Sequence, residues 1–248
     1  MKVAVISLLA LATIGSAQEA KKIETNLTLD FASKYVWHGL NLVNDSVFQP
    51  GISFSSCGFT FSLWGSMELT NWNAPNYTRA PKGRFAEIDT TIQYDGTHGK
   101  MGWNVGIVEY QYPGTGFERY AEWFAGVSFG EAWGAPSLTV YTGSNDRSGT
   151  YATLGLSHAL PVQLGTTESI DLGVELTYGD AHCNRFLYGS DRSTFTDLLL
   201  TAGVEFDLGR GWTLTPSINY STLLHPDLLR GAPRRSNVWA AFSFGYKF

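Results

Sequence analysis

Carboxylate side chains recur along this chain at alternate positions, between apolar residues. Glu87 and Asp89 flank an isoleucine, and Glu175 lies between Val174 and Leu176. Since successive side chains of a β-strand point to opposite faces, this spacing puts the acids on one face and the apolar residues on the other. The predicted polar, pore-lining face comprises Glu68, Glu87, Asp89, Glu122, Asp171, Glu175, Asp197 and Glu205, together with the bulky Trp64. In a pore, such a wall would favour cations through its electric field.

Basic residues are concentrated in the segments between the predicted strands. We assign to extracellular loops Arg79, Lys82, Arg84, Arg185, Arg192, Arg230, Arg234 and Arg235. Two interpretations of the acidic face stay open at this point. Its carboxylates select cations, or they pair with loop arginines that fold inward and make the interior merely polar.

A hydrolytic site in the predicted loops could be composed from three residues. Asp180 lies close to His182, and His225 lies in the next long loop, so the group could activate a water molecule. No serine nucleophile motif accompanies it, and solvated loop histidines are the simpler explanation. We therefore expect no enzymatic activity and no catalytic residue.

The two cysteines indicate neither a disulfide framework nor a metal site. Cys57 falls in a predicted turn and Cys183 in a predicted loop at the opposite end of the molecule. We expect both thiols to be free, and we expect no metal and no cofactor.

The elements that position these residues are strands with a period of two. In the last of them, Phe242, Phe244 and Tyr246 alternate with Ser243 and Gly245. The same pattern predicts twelve strands, at 25–37, 47–56, 59–69, 85–94, 101–112, 119–129, 137–143, 150–159, 169–179, 195–207, 212–221 and 237–248. Most span about ten residues, the length that a tilted strand needs to cross a bilayer. Strands of soluble proteins average about five or six residues, which disfavours a soluble β-sandwich with the same alternation.

Short and long connections alternate between the predicted strands. The long ones, at 70–84, 180–194 and 222–236, all fall on one side of the sheet. This arrangement is typical of bacterial barrels with short periplasmic turns and longer extracellular loops. The predicted fold class is therefore all-β, a closed antiparallel transmembrane β-barrel of about 12 strands. Closure is required because an open sheet edge in lipid would leave backbone groups unpaired.

The first residues predict export from the cytoplasm. Lys2 precedes an apolar run from Val3 to Ile14, which is followed by the small residues Gly15, Ser16 and Ala17. This is the pattern of a cleaved signal peptide. We predict a signal peptide over residues 1–17 and an outer-membrane β-barrel over residues 18–248. The expected location is the cell outer membrane of a Gram-negative bacterium.

Composition favours a surface that faces lipid. Charged residues make up 16% and aromatic residues 14% of the chain, whereas globular domains average about 25% charged residues. The net charge of −5 disfavours a nucleic-acid partner. Aromatic residues predicted at the membrane interface are Tyr35, Tyr94, Trp103, Trp123, Trp212 and Tyr246. The terminal Phe248 is the predicted assembly signal, through which the barrel-assembly machinery would bind the C-terminal strand.

Two motifs resemble segments of the TorF family of porin-like bacterial barrels. The first is Ser33-Lys34-Tyr35-Val36-Trp37-His38-Gly39 followed by Gln49-Pro50, and the second is Tyr110-Gln111-Tyr112-Pro113-Gly114 with Glu122 in the next strand. The resemblance covers roughly the first half of the mature chain and implies an outer-membrane barrel that passes solutes. His38 stands where the family usually has arginine. Any role of that arginine toward an anion or a carboxylate is therefore in doubt, because histidine is mostly neutral at pH 7.

These features predict a porin-like channel for passive diffusion of ions or small solutes, with a preference for cations. Twelve strands would leave only a narrow pore. The expected partners are outer-membrane lipid, the assembly machinery and the small solutes themselves, and the oligomeric state is left open. Two alternatives are kept: a structural or adhesive role of the extracellular loops, and, less favoured, an outer-membrane hydrolase.

Overall fold

The chain forms a closed β-barrel in this computed structural model, which describes residues 22–77, 79–145, 148–164, 167–232 and 234–248. The predicted signal peptide lies outside the described residues. In chain order the strands are β1 (Glu24–Ala32), β2 (Tyr35–Trp37), β3 (Leu40–Val43), β4 (Val47–Ser56), β5 (Phe59–Glu68), β6 (Arg84–His98), β7 (Met101–Gln111), β8 (Tyr120–Ser128), β9 (Ser137–Gly143), β10 (Thr150–Leu164), β11 (Thr167–Gly179), β12 (Thr194–Gly203), β13 (Phe206–Gly209), β14 (Trp212–Leu223) and β15 (Ser236–Lys247).

Twelve of these strands make the barrel wall, and each pairs in antiparallel fashion with its neighbours along the chain. The first wall strand, β1, pairs with the last, β15, and this pairing closes the barrel. β2 and β3 form a separate hairpin, and the short β13 pairs with the start of β14. The predicted all-β, twelve-stranded antiparallel barrel is confirmed. Within the described ranges, no helix is both long and apolar enough to cross a membrane.

The outer face of the wall is apolar because the alternation runs through every wall strand. Large apolar side chains stand exposed on it, among them Ile92, Trp123, Val174, Ile218 and Phe242. Their chain neighbours point into the barrel, where polar groups and aromatic rings are buried. Four of the predicted interface aromatics form two ring pairs close to the short turns. The ring centroids are 5.7 Å apart in Tyr94 with Trp103 and 4.7 Å apart in Trp212 with Tyr246.

Two predicted strands differ from what the sequence pattern suggested. The first ends at Ala32 rather than at residue 37 because Ser33, whose backbone N–H donates to Ala240 O, is followed by a chain that turns inward. The prediction of Tyr35 as an interface aromatic was therefore wrong, since this side chain is buried. The predicted strand 195–207 is interrupted after Gly203, where β12 ends. Its last residues belong to β13, which pairs with β14 in the same register as β12.

The two ends of the barrel differ as predicted. One end, here called the turn end, carries the short connections, including Cys57-Gly58. The other, here called the loop end, carries six longer connections, a short helix α1 (Ala181–Tyr188) and a 3₁₀ turn at Pro226–Arg230. α1 begins where the Asp180 carboxylate accepts a hydrogen bond from the Cys183 N–H, at 2.7 Å. The two cysteines are free, Cys57 being exposed and Cys183 buried, which confirms that prediction.

Candidate functional site in the barrel interior

The β2–β3 hairpin lies inside the barrel at its loop end. Its strands are joined by a two-residue turn in which His38 has φ 48° and Gly39 φ 74°. Positive φ at both positions is the geometry of a type I′ hairpin turn, and histidine is among the few side chains that tolerate it. An added Cβ at Gly39 would lie 2.6 Å from Leu223 Cδ2, so the tip is also packed closely against the wall. The hairpin therefore narrows the interior.

Tyrosines and carboxylates meet around this hairpin. The Tyr35 hydroxyl donates to Glu87 Oε2 at 2.8 Å. On the facing wall, the hydroxyls of Tyr110 and Tyr151 both donate to Glu122 Oε2, each at 3.1 Å. Because the donors in these three bonds are neutral, they orient the carboxylates without cancelling the charge that those groups carry when ionised.

The tyrosine rings also pack on one another. Tyr141 and Tyr151 are stacked with centroids 4.7 Å apart and planes 9° from parallel. Tyr110 contacts Tyr120 at 4.7 Å and the hairpin residue Trp37 at 6.2 Å. Ring pairs of this kind add about 0.5–1.5 kcal/mol each beyond their burial. The aromatic cluster consequently fixes both the wall carboxylates and the hairpin.

Loop residues hold a further carboxylate at the loop end. Asn73 Nδ2 donates to Glu68 Oε1 at 2.8 Å and to Leu42 O on the hairpin at 3.0 Å. Tyr77, in the same loop, also bonds Glu68. Burial, with a further contribution from Glu68, raises the pKa of this tyrosine. The loop between β5 and β6 is thus tied to both the wall and the hairpin.

The hairpin tip meets the opposite wall at Asp197. His38 Nδ1 lies 3.8 Å from Asp197 Oδ1, and both side chains are almost fully buried. Tyr188, the last residue of α1, donates its hydroxyl to His38 O at 2.7 Å, and burial raises the pKa of this tyrosine. With strands predicted at 25–37 and 47–56, sequence reasoning puts His38 in the connection between two wall strands. It missed the inward fold of the segment, although the His38-Gly39 turn between two apolar β-residues was the available signal.

The interior toward the turn end has a different lining. A cavity there is bordered mainly by small residues, Ser137, Thr139, Thr153, Gly155, Ser157, Gly173 and Thr201, together with Glu175 and Leu199. Glycine, serine and threonine leave space where the loop end has rings. Glu175 lies at the boundary between the part of the interior at the loop end and the part toward the turn end.

Most of the predicted pore-lining residues lie inside the barrel. The interior residues are Glu68, Glu87, Asp89, Glu122 and Asp197, all buried, and Asp171, Glu175 and Trp64, which are partly buried. Glu205 is exposed in the link between β12 and β13. Pairing with β14 continues in one register across this link, from Gly203↔Ser217 to Phe206↔Leu214, so Glu205 keeps the strand position that the alternation predicts, at the turn end of the barrel.

The predicted loop bases are at the loop end and are exposed, Arg84 being the first residue of β6. Arg185 pairs with Asp191, and Arg192 NH1 lies 3.8 Å from Asp227 Oδ2. Arg235 Nε donates to Leu223 O at 3.2 Å. These three arginines therefore contact groups at the loop end, and none of their contacts with described residues is to an interior carboxylate.

The three residues of the hydrolytic site considered above, Asp180, His182 and His225, have other contacts. Asp180 accepts from the backbone N–H groups of Cys183 and Thr150 through its two carboxylate oxygens. His182 is exposed, and His225 Nδ1 accepts from the Asp227 N–H at 3.2 Å. No described hydrogen bond joins the three. Over the described ranges, no group of three or more histidine, cysteine, aspartate and glutamate residues is placed to hold a metal ion.

Comparison with known proteins identifies the fold. No model of a protein family matches the chain, and no curated protein matches it significantly in sequence. Among solved structures, an outer membrane channel from Pseudomonas putida F1 is similar with a TM-score of 0.50 and 12% identity, covering 94% of this chain and 97% of that one. LpxR from Salmonella typhimurium is similar with a TM-score of 0.52 and 12% identity, covering 90% and 100% of the two chains. The chain has the fold of outer-membrane β-barrels.

Proposed function

We propose that this chain is an outer-membrane channel for passive diffusion of ions and small solutes, with a preference for cations. The observation that carries the proposal is the set of carboxylates on the inner face of a closed barrel. Glu122 accepts hydrogen bonds from two neutral tyrosines, so its ionised form would keep its charge toward the interior. Carboxylate rings favour cations in channels.

Two resemblances support the same proposal. The motifs at 33–39 and 110–114 resemble the TorF-family porins, and we propose membership of that family. The likeness of fold to the outer membrane channel from Pseudomonas putida F1 agrees with a channel. We further propose export through the signal peptide at 1–17 and insertion into the outer membrane of a Gram-negative bacterium. Assembly would proceed through the strand that ends at Phe248.

We propose no enzymatic activity. The support is that Asp180 is engaged by backbone amides and that His182 points to solvent. If the protein passes no current, a structural or adhesive role of the barrel is the alternative.

The test is the reversal potential in a planar bilayer under a KCl gradient. The fourfold variant Glu87→Gln, Asp89→Asn, Glu122→Gln, Glu175→Gln removes interior charge. We expect cation selectivity in the wild type and a reversal potential closer to zero in the variant, with the wild-type preference weakened at high salt by screening.

A matched control removes four carboxylates outside the interior: Glu24→Gln, Glu131→Gln, Asp191→Asn and Asp207→Asn, all of which are exposed. Its reversal potential should equal that of the wild type. Anion selectivity in the wild type, or an equal shift in both variants, would overturn the cation preference and favour the cationic loops as the filter. An absence of current would overturn the channel.

A further inference from the structure

The inward turn of the chain after β1 leaves one edge of β15 uncovered at the loop end. β1 pairs with β15 only as far as Ala32, and Ser33 makes the last contact, with the backbone N–H and C=O of Ala240. β15 extends past this contact to Ser236, and there it pairs with β14 on its other side only. The next residues of the chain form the β2–β3 hairpin inside the barrel, so no described wall strand covers this side of β15. We call this uncovered edge, from Ser236 to Trp239, the notch.

The notch leaves backbone groups open that a complete wall would pair. Residues two apart in an antiparallel strand direct their N–H and C=O groups to the same side. Since both backbone groups of Ala240 bond Ser33, those of Val238 point to the side of the notch, where no hydrogen bond from a described residue reaches them. Val238 is also 57% exposed. Open backbone groups are costly in the hydrocarbon layer, so this edge belongs at the level of the lipid headgroups, next to a polar partner.

Three hydroxyl groups lie together on the outer face of the wall beside the notch. Thr222 of β14 is directly opposite Ser236 of β15, and their hydroxyl oxygens are 2.9 Å apart. Tyr220, two residues before Thr222 and on the same face, donates its hydroxyl to Ser236 Oγ at 3.4 Å. The apolar side chains of Ile218 and Val238 share this face and are exposed. The outer face therefore changes from apolar to hydroxyl-bearing as it approaches the loop end.

Positive charge adjoins these hydroxyls. Arg234 and Arg235 are exposed just before β15, and neither has an ion pair with a described residue. Asp227 is the one acid in the connection between β14 and β15, and it already lies near Arg192. Arg235 is close enough to the Tyr220 hydroxyl to act on it electrostatically. A guanidinium has five N–H donors, and those of Arg235 bond only two backbone carbonyls among the described residues, so donors remain for an anion.

We propose that the outer face of the notch binds a membrane lipid through a phosphate monoester in its headgroup. Arg235 supplies the positive charge and planar donors that match phosphate oxygens. The hydroxyls of Thr222 and Ser236 donate to the remaining oxygens, of which a phosphate monoester presents three. Other headgroup oxygens accept from the Val238 N–H, and the acyl chains lie along Ile218. This site is on the lipid-facing side of the wall and is independent of the proposed channel in the interior.

The test is native mass spectrometry of the protein in detergent, titrated with dimyristoyl phosphatidic acid. Dimyristoyl phosphatidylcholine, which has the same acyl chains and no net charge, is the reference lipid. The wild type should bind phosphatidic acid at least about tenfold more tightly than phosphatidylcholine, because hydrogen bonds to a charged group are the strong ones. The double variant Thr222→Val, Ser236→Ala and, independently, Arg235→Gln should each weaken phosphatidic acid binding about tenfold and leave phosphatidylcholine binding unchanged.

The matched control is the double variant Thr142→Val, Thr150→Val. These two threonines also face each other on the outer side of the wall at the loop end, with hydroxyl oxygens 3.0 Å apart, but the wall is continuous on both sides of them. The control should bind phosphatidic acid as the wild type does. Equal affinity of the wild type for the two lipids, or an equal loss in the control and in the notch hydroxyl variant, would overturn the site. The notch hydroxyls are at the surface, so that variant decides even if Arg235→Gln fails to fold.

Hydrogen exchange and competition separate the lipid from other occupants of the notch. Exchange of the Val238 amide should be several-fold slower in bicelles that contain phosphatidic acid than in phosphatidylcholine alone, and an equal rate would overturn the placement at the notch. Excess inorganic phosphate should leave the lipid bound, and displacement would assign the site to a free anion instead. A stable dimer in lipid-free detergent with a protected Val238 amide would mean that a second copy covers the open edge, which would also overturn the proposal.

Discussion

The two parts of the barrel interior differ in what fills them. At the loop end, the infolded hairpin and a cluster of tyrosines surround buried carboxylates, with Tyr35, Tyr110 and Tyr151 bonded to Glu87 and Glu122. Toward the turn end, small residues border an open cavity. The same strands and the same alternation produce both parts. The difference arises because one loop folds inward and supplies a second layer of side chains at the loop end only.

This difference assigns separate roles to the two parts. Charge-assisted hydrogen bonds and ring contacts make the loop end rigid and narrow, so selection among solutes should occur there. The turn end has few bulky side chains, and its residues should tolerate substitution. The predictions below test this contrast, beginning with the largest expected effect.

The boundary between the two parts requires Glu175 to face inward and Val174 to face outward, where it is 39% exposed. Val174→Arg should destabilise the folded barrel by about 2–4 kcal/mol near the bilayer midplane. Glu175→Arg should leave stability nearly unchanged and reduce the cation preference. Urea unfolding in lipid vesicles measures the first effect and the reversal potential measures the second. Equal loss of stability in both variants would contradict the assignment of the two faces.

The tyrosines of the loop end should contribute to stability through their hydroxyl groups. Tyr110→Phe or Tyr151→Phe removes one hydrogen bond to a buried carboxylate and should cost about 1.5–3 kcal/mol. Tyr141→Phe is the matched control, because its ring stacks on Tyr151 while its hydroxyl donates to none of the described residues. If all three variants unfold at the same urea concentration, the tyrosine cluster does not stabilise the loop end in this way.

A hydrogen bond toward the turn end should contribute less to the free energy of unfolding. Thr201 Oγ1 donates to Asn219 Oδ1 at 3.0 Å, a bond between neutral groups. Thr201→Val should therefore cost about 1 kcal/mol, and Thr139→Val, whose hydroxyl bonds no described group, should cost less. A cost for Thr201→Val above that of Tyr151→Phe would remove the energetic contrast between the two parts.

The two cysteines can be used to measure how accessible each end of the barrel is to a reagent in solvent. This test substitutes no residue and so leaves the stability unchanged. Cys57 is exposed at the turn end, and Cys183, in α1, is buried at the loop end. Burial, with smaller contributions from nearby acids, raises the pKa of the Cys183 thiol, so its reactive thiolate stays scarce even at a pH of about 9, where an ordinary thiol ionises. A thiol reagent should label one cysteine per folded chain and two after denaturation. Rapid labelling of Cys183 in the folded protein would show that the loop end opens to solvent.

The sequence predicted the wall well because each wall strand separates two media. Eight of the strands begin and end within two residues of the predicted positions, and β4 (Val47–Ser56) and β9 (Ser137–Gly143) coincide with them. The alternation carries this information locally, residue by residue. For the same reason, the inward assignment of Glu122 and Asp197 needed no knowledge of the rest of the fold.

The sequence did not predict the interior contacts, because these depend on distant segments. Tyr35 to Trp37 continue the alternation of β1, and nothing local distinguishes a strand that stays in the wall from one that folds inside. The decision rests on partners far along the chain, such as Tyr188, which bonds His38 from 150 residues away.

The central claim is that the infolded hairpin forms the narrow part of a cation-preferring path. The most direct test replaces residues 34–45 with an Asn-Gly turn, which should keep the pairing of β1 with β4. A matched control places the same turn in the exposed β7–β8 loop, in place of residues 114–117. In planar bilayers, we predict a small, cation-selective unitary conductance for the wild type, the same value for the control and a several-fold larger value for the hairpin replacement. An unchanged conductance after removal of the hairpin would contradict the account.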